Sequence, residues 1–162
     1  MYETLAVAAL GANDPDRVVE AVLRARERYP DLSAEEIAEK LTARTALSSA
    51  AVGAIAPSTV DLTYQTLSFH RLVLSIARLS GKPATPLERA AAVAGSLLVA
   101  AASEGARRVA VRATRRLPAD RWPLLPAAGA ALAAAAVHYG AARLLGYAAR
   151  RFFFEGRGRR LW

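Results

Sequence analysis

The chain contains no cysteine, two histidines, two lysines and one methionine in 162 residues. The missing thiols exclude disulfides, thiolate zinc sites and cysteine nucleophiles together, so the fold has to hold by packing. No stretch alternates apolar and polar residues with the period of a strand, no repeat of solenoid length recurs, and no Gly/Ser linker divides the chain. No Walker glycine loop, G-x-S-x-G elbow, dinucleotide fingerprint or H-E-x-x-H pattern is present. A secretory leader is not expected either: Glu3 stands where a basic region belongs, and the apolar run from Leu5 to Leu10 is short. The expected compartment is the cytoplasm.

What is present is alanine. Of the residues, 54% are hydrophobic, but 39 of the 162 are alanine, which favours helix strongly and adds little bulk. The reading is an all-α fold, a compact bundle of about five to six helices with Ala/Gly-rich hairpins. One domain spans residues 1–162, with an amphipathic N-terminal region (1–30), a core (31–154) and a basic, aromatic tail (155–162). The net charge of +8 is carried by the second half: residues 1–81 are net −2 and residues 82–162 net +10. All cations but Lys40 and Lys82 are arginine. Such a balance suits anionic lipid, nucleic acid or an acidic partner.

Local signals set the helix boundaries. Asn13-Asp14 followed by Pro15 and Asp16 predicts a helix start, with Val18, Val22, Ala25 and Tyr29 on one side and Glu20 and Arg24 as an exposed i,i+4 pair. Ser33-Ala-Glu-Glu36 is a capping box that opens the second helix. From Thr45 to Val60 no residue is charged, which predicts a buried helical hairpin, and Asp61 is expected to cap the helix after the Pro57-Ser58 turn. That helix, with Leu62, Phe69, Leu72, Val73, Ile76 and Leu79 on its apolar face, should stop at Ser80-Gly81. Thr85-Pro86-Leu87-Glu88 starts a long helix. In its second half Arg108, Arg112, Arg115 and Arg116 recur on one side, with Ala106, Val109, Ala113 and Leu117 on the other, the pattern of a cationic amphipathic helix.

Residues 122–142 carry no formal charge and form the best transmembrane candidate in the chain. Prolines at the start, a mainly alanine body and arginines at both ends argue instead for a helix packed closely on a neighbour. Gly129 and Ala133, Ala136 and Gly140, and Ala142 and Gly146 are small pairs spaced for such an approach. The tail interleaves Arg150 and Arg151 with Phe152, Phe153, Phe154 and Trp162, a combination suited to a headgroup region or to docking on the core.

Catalysis finds little support. His70 and His138 stand apart, without ligand spacing, and read as partly buried structural histidines; no metal and no cofactor is expected. An enzyme would need Asp61 and His70 to converge in a pocket. Nucleic acid is disfavoured as a partner, because no helix-turn-helix, RRM or zinc-finger pattern accompanies the basic charge.

Four blocks carry a resemblance: YPDLSAEEIAEKL; TALSSAAVGAIAP followed by Asp61; LVLSIARLSGK; and RRLPADRWPLLPAAGAAL running into YGAARLLGYAARRFF. In this order they resemble the EcsC family of bacterial proteins and the related helical domain fused to some bacterial GTPases. The resemblance covers residues 29 to 154 and implies an all-helical domain peripheral to membranes; it supplies no catalytic residues. The resulting expectation is a non-enzymatic protein at the inner face of the membrane. Arg108, Arg112, Arg115, Arg116, Arg150 and Arg151 would bind the anionic surface, and Phe152, Phe153, Phe154 and Trp162 would anchor it. The alternative is a protein–protein interaction or homo-oligomerisation module that pairs its Ala/Gly faces with a helical partner.

Overall fold

The computed structural model describes residues 15–55, 58–81, 84–114, 116, 118 and 122–156. Among them are five helices and no strand: α1 (Pro15–Arg28), α2 (Ala34–Ile55), α3 (Ser58–Leu79), α4 (Pro86–Thr114) and α5 (Leu125–Phe153). The all-α bundle expected from composition is what forms.

The boundaries fall where local chemistry places them. Pro15 opens α1. The Ser33 amide donates to Glu36 Oε2 at 2.8 Å, and the Glu36 amide donates to Ser33 Oγ at 3.3 Å, completing the capping box. Thr85 and Glu88 repeat the arrangement before α4, with the Thr85 amide donating at 2.8 Å and the Glu88 amide at 3.2 Å. Gly81 closes α3 at φ +75°, a backbone state that side chains with a Cβ seldom adopt.

Helices α2 to α5 pack together as a bundle, α2 most extensively against α5, and α1 packs mainly on α3. The core changes character along its axis. Toward α1 it is aliphatic: Val18, Val22 and Ala25 of α1 meet Ile37, Leu72, Ile76, Leu79 and Phe153. In the middle it thins to Ala46, Phe69, Ala100 and Ala142. Toward the α2–α3 turn it becomes polar, with Ser49, Asp61, Gln65, Ser103, Glu104 and His138 all buried.

Two alanine-rich helices outrun the rest. The last buried residue of α4 is Glu104 and the first of α5 is Ala134. Beyond that level α2 and α3 have turned back, while α4 continues to Thr114 and α5 begins at Leu125. At 1.5 Å per residue, the α4–α5 hairpin therefore projects about 15 Å past the bundle as an arm.

The arm explains two departures from expectation. Ala106, Val109 and Ala113, expected on the apolar side of a cationic amphipathic helix, are exposed, Val109 at 67%, because among the described residues nothing packs over them; Leu117 lies outside the described residues. The uncharged Thr45–Val60 segment is likewise buried on one face only: Ala46, Ser49 and Gly53 face inward, whereas Leu47 and Ile55 face out. Alanine and glycine gave no contrast by which one face could be told from the other.

Candidate functional site

The polar end of the core gathers one side chain or more from each of the four bundle helices. Asp61, in the first turn of α3, is fully buried. It does not cap α3, which already begins at Ser58; its carboxylate turns inward instead. Gln65, one turn on, donates through Nε2 to Asp61 Oδ1 at 2.9 Å and to the Ser49 carbonyl of α2 at 3.0 Å. That fixes one carboxylate oxygen and directs the other to α5, where Asp61 Oδ2 stands 2.8 Å from His138 Nε2. At that distance the two groups form an ion-pair contact, yet neither atom is satisfied by a well-formed hydrogen bond.

Helix α4 supplies the remaining charges. Glu104 accepts from Arg107 Nε at 2.6 Å and Nη2 at 2.9 Å, and from Arg108 Nε at 2.8 Å. Arg107 also approaches Asp61 Oδ2 to 3.8 Å. The hydrogen bond from Arg107, reinforced by Arg108, holds the Glu104 carboxyl down at about 2 against the cost of burial. The same hydrogen bond raises Arg107. His138 is lowered chiefly by burial; the charge of Asp61 opposes this and that of Arg107 adds to it. At neutral pH the cluster thus holds an anionic Glu104, a cationic Arg107 and an imidazole biased to its neutral form.

This cluster is hard to see in the sequence because Asp61, Glu104 and His138 are 34 to 77 positions apart. One signal was available: Asp61 is the sole charged residue between Thr45 and Phe69, and His138 stands in an alanine-rich, uncharged segment. An isolated polar group inside an apolar segment needs a partner, and these two found each other. The Asp61–His70 pairing that an enzyme was expected to need does not form. Both lie on α3, nine residues or about 13 Å apart along the axis, and His70 is 2% exposed in the apolar middle of the bundle.

The residues expected at an anionic surface divide between the two ends of the molecule. Arg108, Arg112 and Arg116 are exposed on the arm or at its tip; Arg115 lies outside the described residues. Arg150 and Arg151 lie at the opposite end of α5. Arg150, with Arg143, is engaged by Glu39 of α2 in a half-buried ion-pair network. Arg151 pairs with Glu155 at 3.2 Å and donates to the Tyr147 hydroxyl at 2.9 Å, and this hydroxyl bond raises its pKa further.

The aromatic group is also divided. Phe153 is core, Phe154 is half-buried, and Phe152 is 38% exposed with its ring edge-on to Phe153. Trp162 lies outside the described residues. A further exposed aromatic is Trp122, 68% exposed beside Leu124 at 80% in the connection at the arm's tip. The 18-residue apolar window that makes α5 long and apolar enough to cross a membrane is only 17% buried. Known protein families, curated proteins and solved structures offer no match to the chain.

Proposed function

We propose that this protein is a non-enzymatic helical bundle that docks peripherally on anionic membrane surfaces through the tip of its α4–α5 arm, at the inner face of the membrane. The observation that carries this reading is the company kept at one end of the molecule. Val109, Trp122 and Leu124 are each more than 60% exposed on the arm or at its tip, next to the exposed cations Arg108, Arg112 and Arg116. Aromatic and aliphatic side chains between guanidinium groups match a headgroup layer, apolar at one depth and phosphate-rich at the next. Kinship with the EcsC-like family, proposed from the sequence blocks above, agrees with this role. The anchor proposed here is Trp122 with Leu124, in place of the Phe152, Phe153, Phe154 and Trp162 expected from the sequence.

Cosedimentation with vesicles tests the proposal. Wild-type protein should bind anionic vesicles at low salt, release at high salt and ignore neutral vesicles. Each cation near an anionic surface contributes about 1 kcal/mol, so the Arg112→Glu, Arg116→Glu double variant should bind roughly 30-fold more weakly or worse. Binding unchanged in that variant refutes the mechanism.

A second reading rests on a separate observation. Leu132, Ala136, Gly140, Leu144 and Ala148 form an exposed, uncharged stripe along α5, a surface on which another helix, from a second copy or a helical partner, could pack. A mass that rises with concentration in the absence of lipid would favour it.

A further inference from the structure

The Asp61–His138 contact lacks something between its atoms. Buried polar groups are almost always hydrogen-bonded, yet Asp61 Oδ2 and both ring nitrogens of His138 are buried without a hydrogen bond. Each side chain is 1% exposed. An imidazole lone pair and a carboxylate oxygen at 2.8 Å repel unless a proton or a cation sits between them.

We propose that Asp61, Glu104 and His138 form a binding site for one divalent transition-metal ion of the zinc and cobalt class. One ligand atom from each lies within 4.8 Å of the others, a spacing that small side-chain movements close to metal–ligand geometry. The donor set, one imidazole nitrogen and two carboxylate oxygens, selects a borderline metal over calcium or magnesium, which prefer all-oxygen cages. Gln65 acts as the outer support: by holding Asp61 Oδ1 it leaves Oδ2 for the ion and fixes the carboxylate's orientation. Arg107 and Arg108 neutralise Glu104 when no ion is bound. Arg108, with 63% of its side chain exposed, can withdraw to solvent as the ion takes over its charge. The three ligands come from α3, α4 and α5 at the base of the arm, so the ion would tie the arm to the bundle. This reverses the expectation of a metal-free protein drawn from histidine spacing.

Two histidines in the chain make the test clean. Untagged, chelator-stripped protein is titrated with Co²⁺. One equivalent should bind with visible d–d absorption, and Zn²⁺ should displace it. His138→Gln and Asp61→Asn should abolish the absorption, Gln65→Ala should weaken binding roughly 10- to 100-fold, and His70→Gln should change nothing. Absence of the band in folded wild-type protein, or its survival in His138→Gln, overturns the site. Should His138→Gln fail to fold, imidazole ¹⁵N spectra of the wild type decide: Zn²⁺ must move the resonances of His138 and leave those of His70, and any other pattern overturns the proposal.

Discussion

The two histidines sit in different surroundings but respond to acid in the same sense. His70 is pushed below its usual value mainly by burial, helped by the charge of Arg71 and opposed by a hydrogen bond with the Ala92 backbone. His138 is pushed down by burial in the charged cluster. For a base whose folded pKa is depressed, the unfolded chain takes up protons that the folded chain refuses. Stability is therefore fully present above the unfolded value of about 6.5 and falls as pH drops below it, by at most about 1.4 kcal/mol per pH unit for each histidine. Glu104 adds a separate loss lower on the scale. Its carboxyl is held at about 2, so its contribution is present above the ordinary glutamate value and disappears as pH falls toward 2. Urea midpoints of chelator-treated protein should decline from neutral pH downward. His70→Gln should reduce the first decline, and Glu104→Gln should remove the second while deepening the first, because the Glu104 charge holds the His138 pKa up. A midpoint that is flat through the histidine range would show that neither imidazole is held neutral by the fold.

At the scale of the helix, the contact between α2 and α5 turns on two glycines. A Cβ on Gly53 would overlap the His138 ring, and one on Gly146 would overlap the Thr42 side chain, whereas at Gly140 it would meet nothing within 4 Å. Thr42 is itself held by donation from its hydroxyl to the Ala38 carbonyl at 2.8 Å, so it cannot easily give way. Gly53→Ala and Gly146→Ala should each destabilise by about 1–3 kcal/mol through forced separation of the helices. Gly140→Ala should be neutral or stabilise by up to about 1 kcal/mol, since an open helical glycine only costs backbone entropy. Equal effects of the three substitutions on the urea midpoint would contradict the packing described. The same glycines mark the limit of what could be read in advance. Ala142 and Gly146 do face a neighbour as their spacing suggested, but Ala136 and Gly140, identically spaced, face solvent. Helix starts were legible because a cap, a proline or a carboxylate acts within one turn: Pro15, Ser33 with Glu36, and Thr85 with Glu88 all do what their local chemistry dictates. Which side of an alanine-rich helix is buried depends on segments a hundred residues away. Asp61 illustrates this at the candidate site: its place at a helix start was legible, its partner on α5 was not.

For the molecule as a whole, the division of charge between the two ends bears on how it would meet a membrane. Had Arg108 to Arg116 and Arg150 to Phe154 shared a surface, the bundle would lie flat. They are instead separated along α5, a 29-residue helix about 44 Å long, by about half its length at Arg108 and by most of it at Arg116, and at the far end Arg150 is committed to Glu39. Side-on contact would have to recruit Leu132 and Leu144 of the α5 stripe; end-on contact needs only the arm. Trp122 separates these geometries, because it sits at the arm's tip and Trp162 can be replaced by phenylalanine to leave one fluorophore. With anionic vesicles, Trp122 emission should shift to the blue and be quenched by brominated lipid, while a nitroxide on Leu144→Cys, about 28 Å further along α5, should stay accessible to an aqueous relaxation agent. Protection of both positions would lay the bundle on its side and make the α5 stripe the membrane face. An unshifted Trp122 in protein that still sediments with vesicles would remove the arm from the contact, and with it the reason to assign the cations at its tip to lipid.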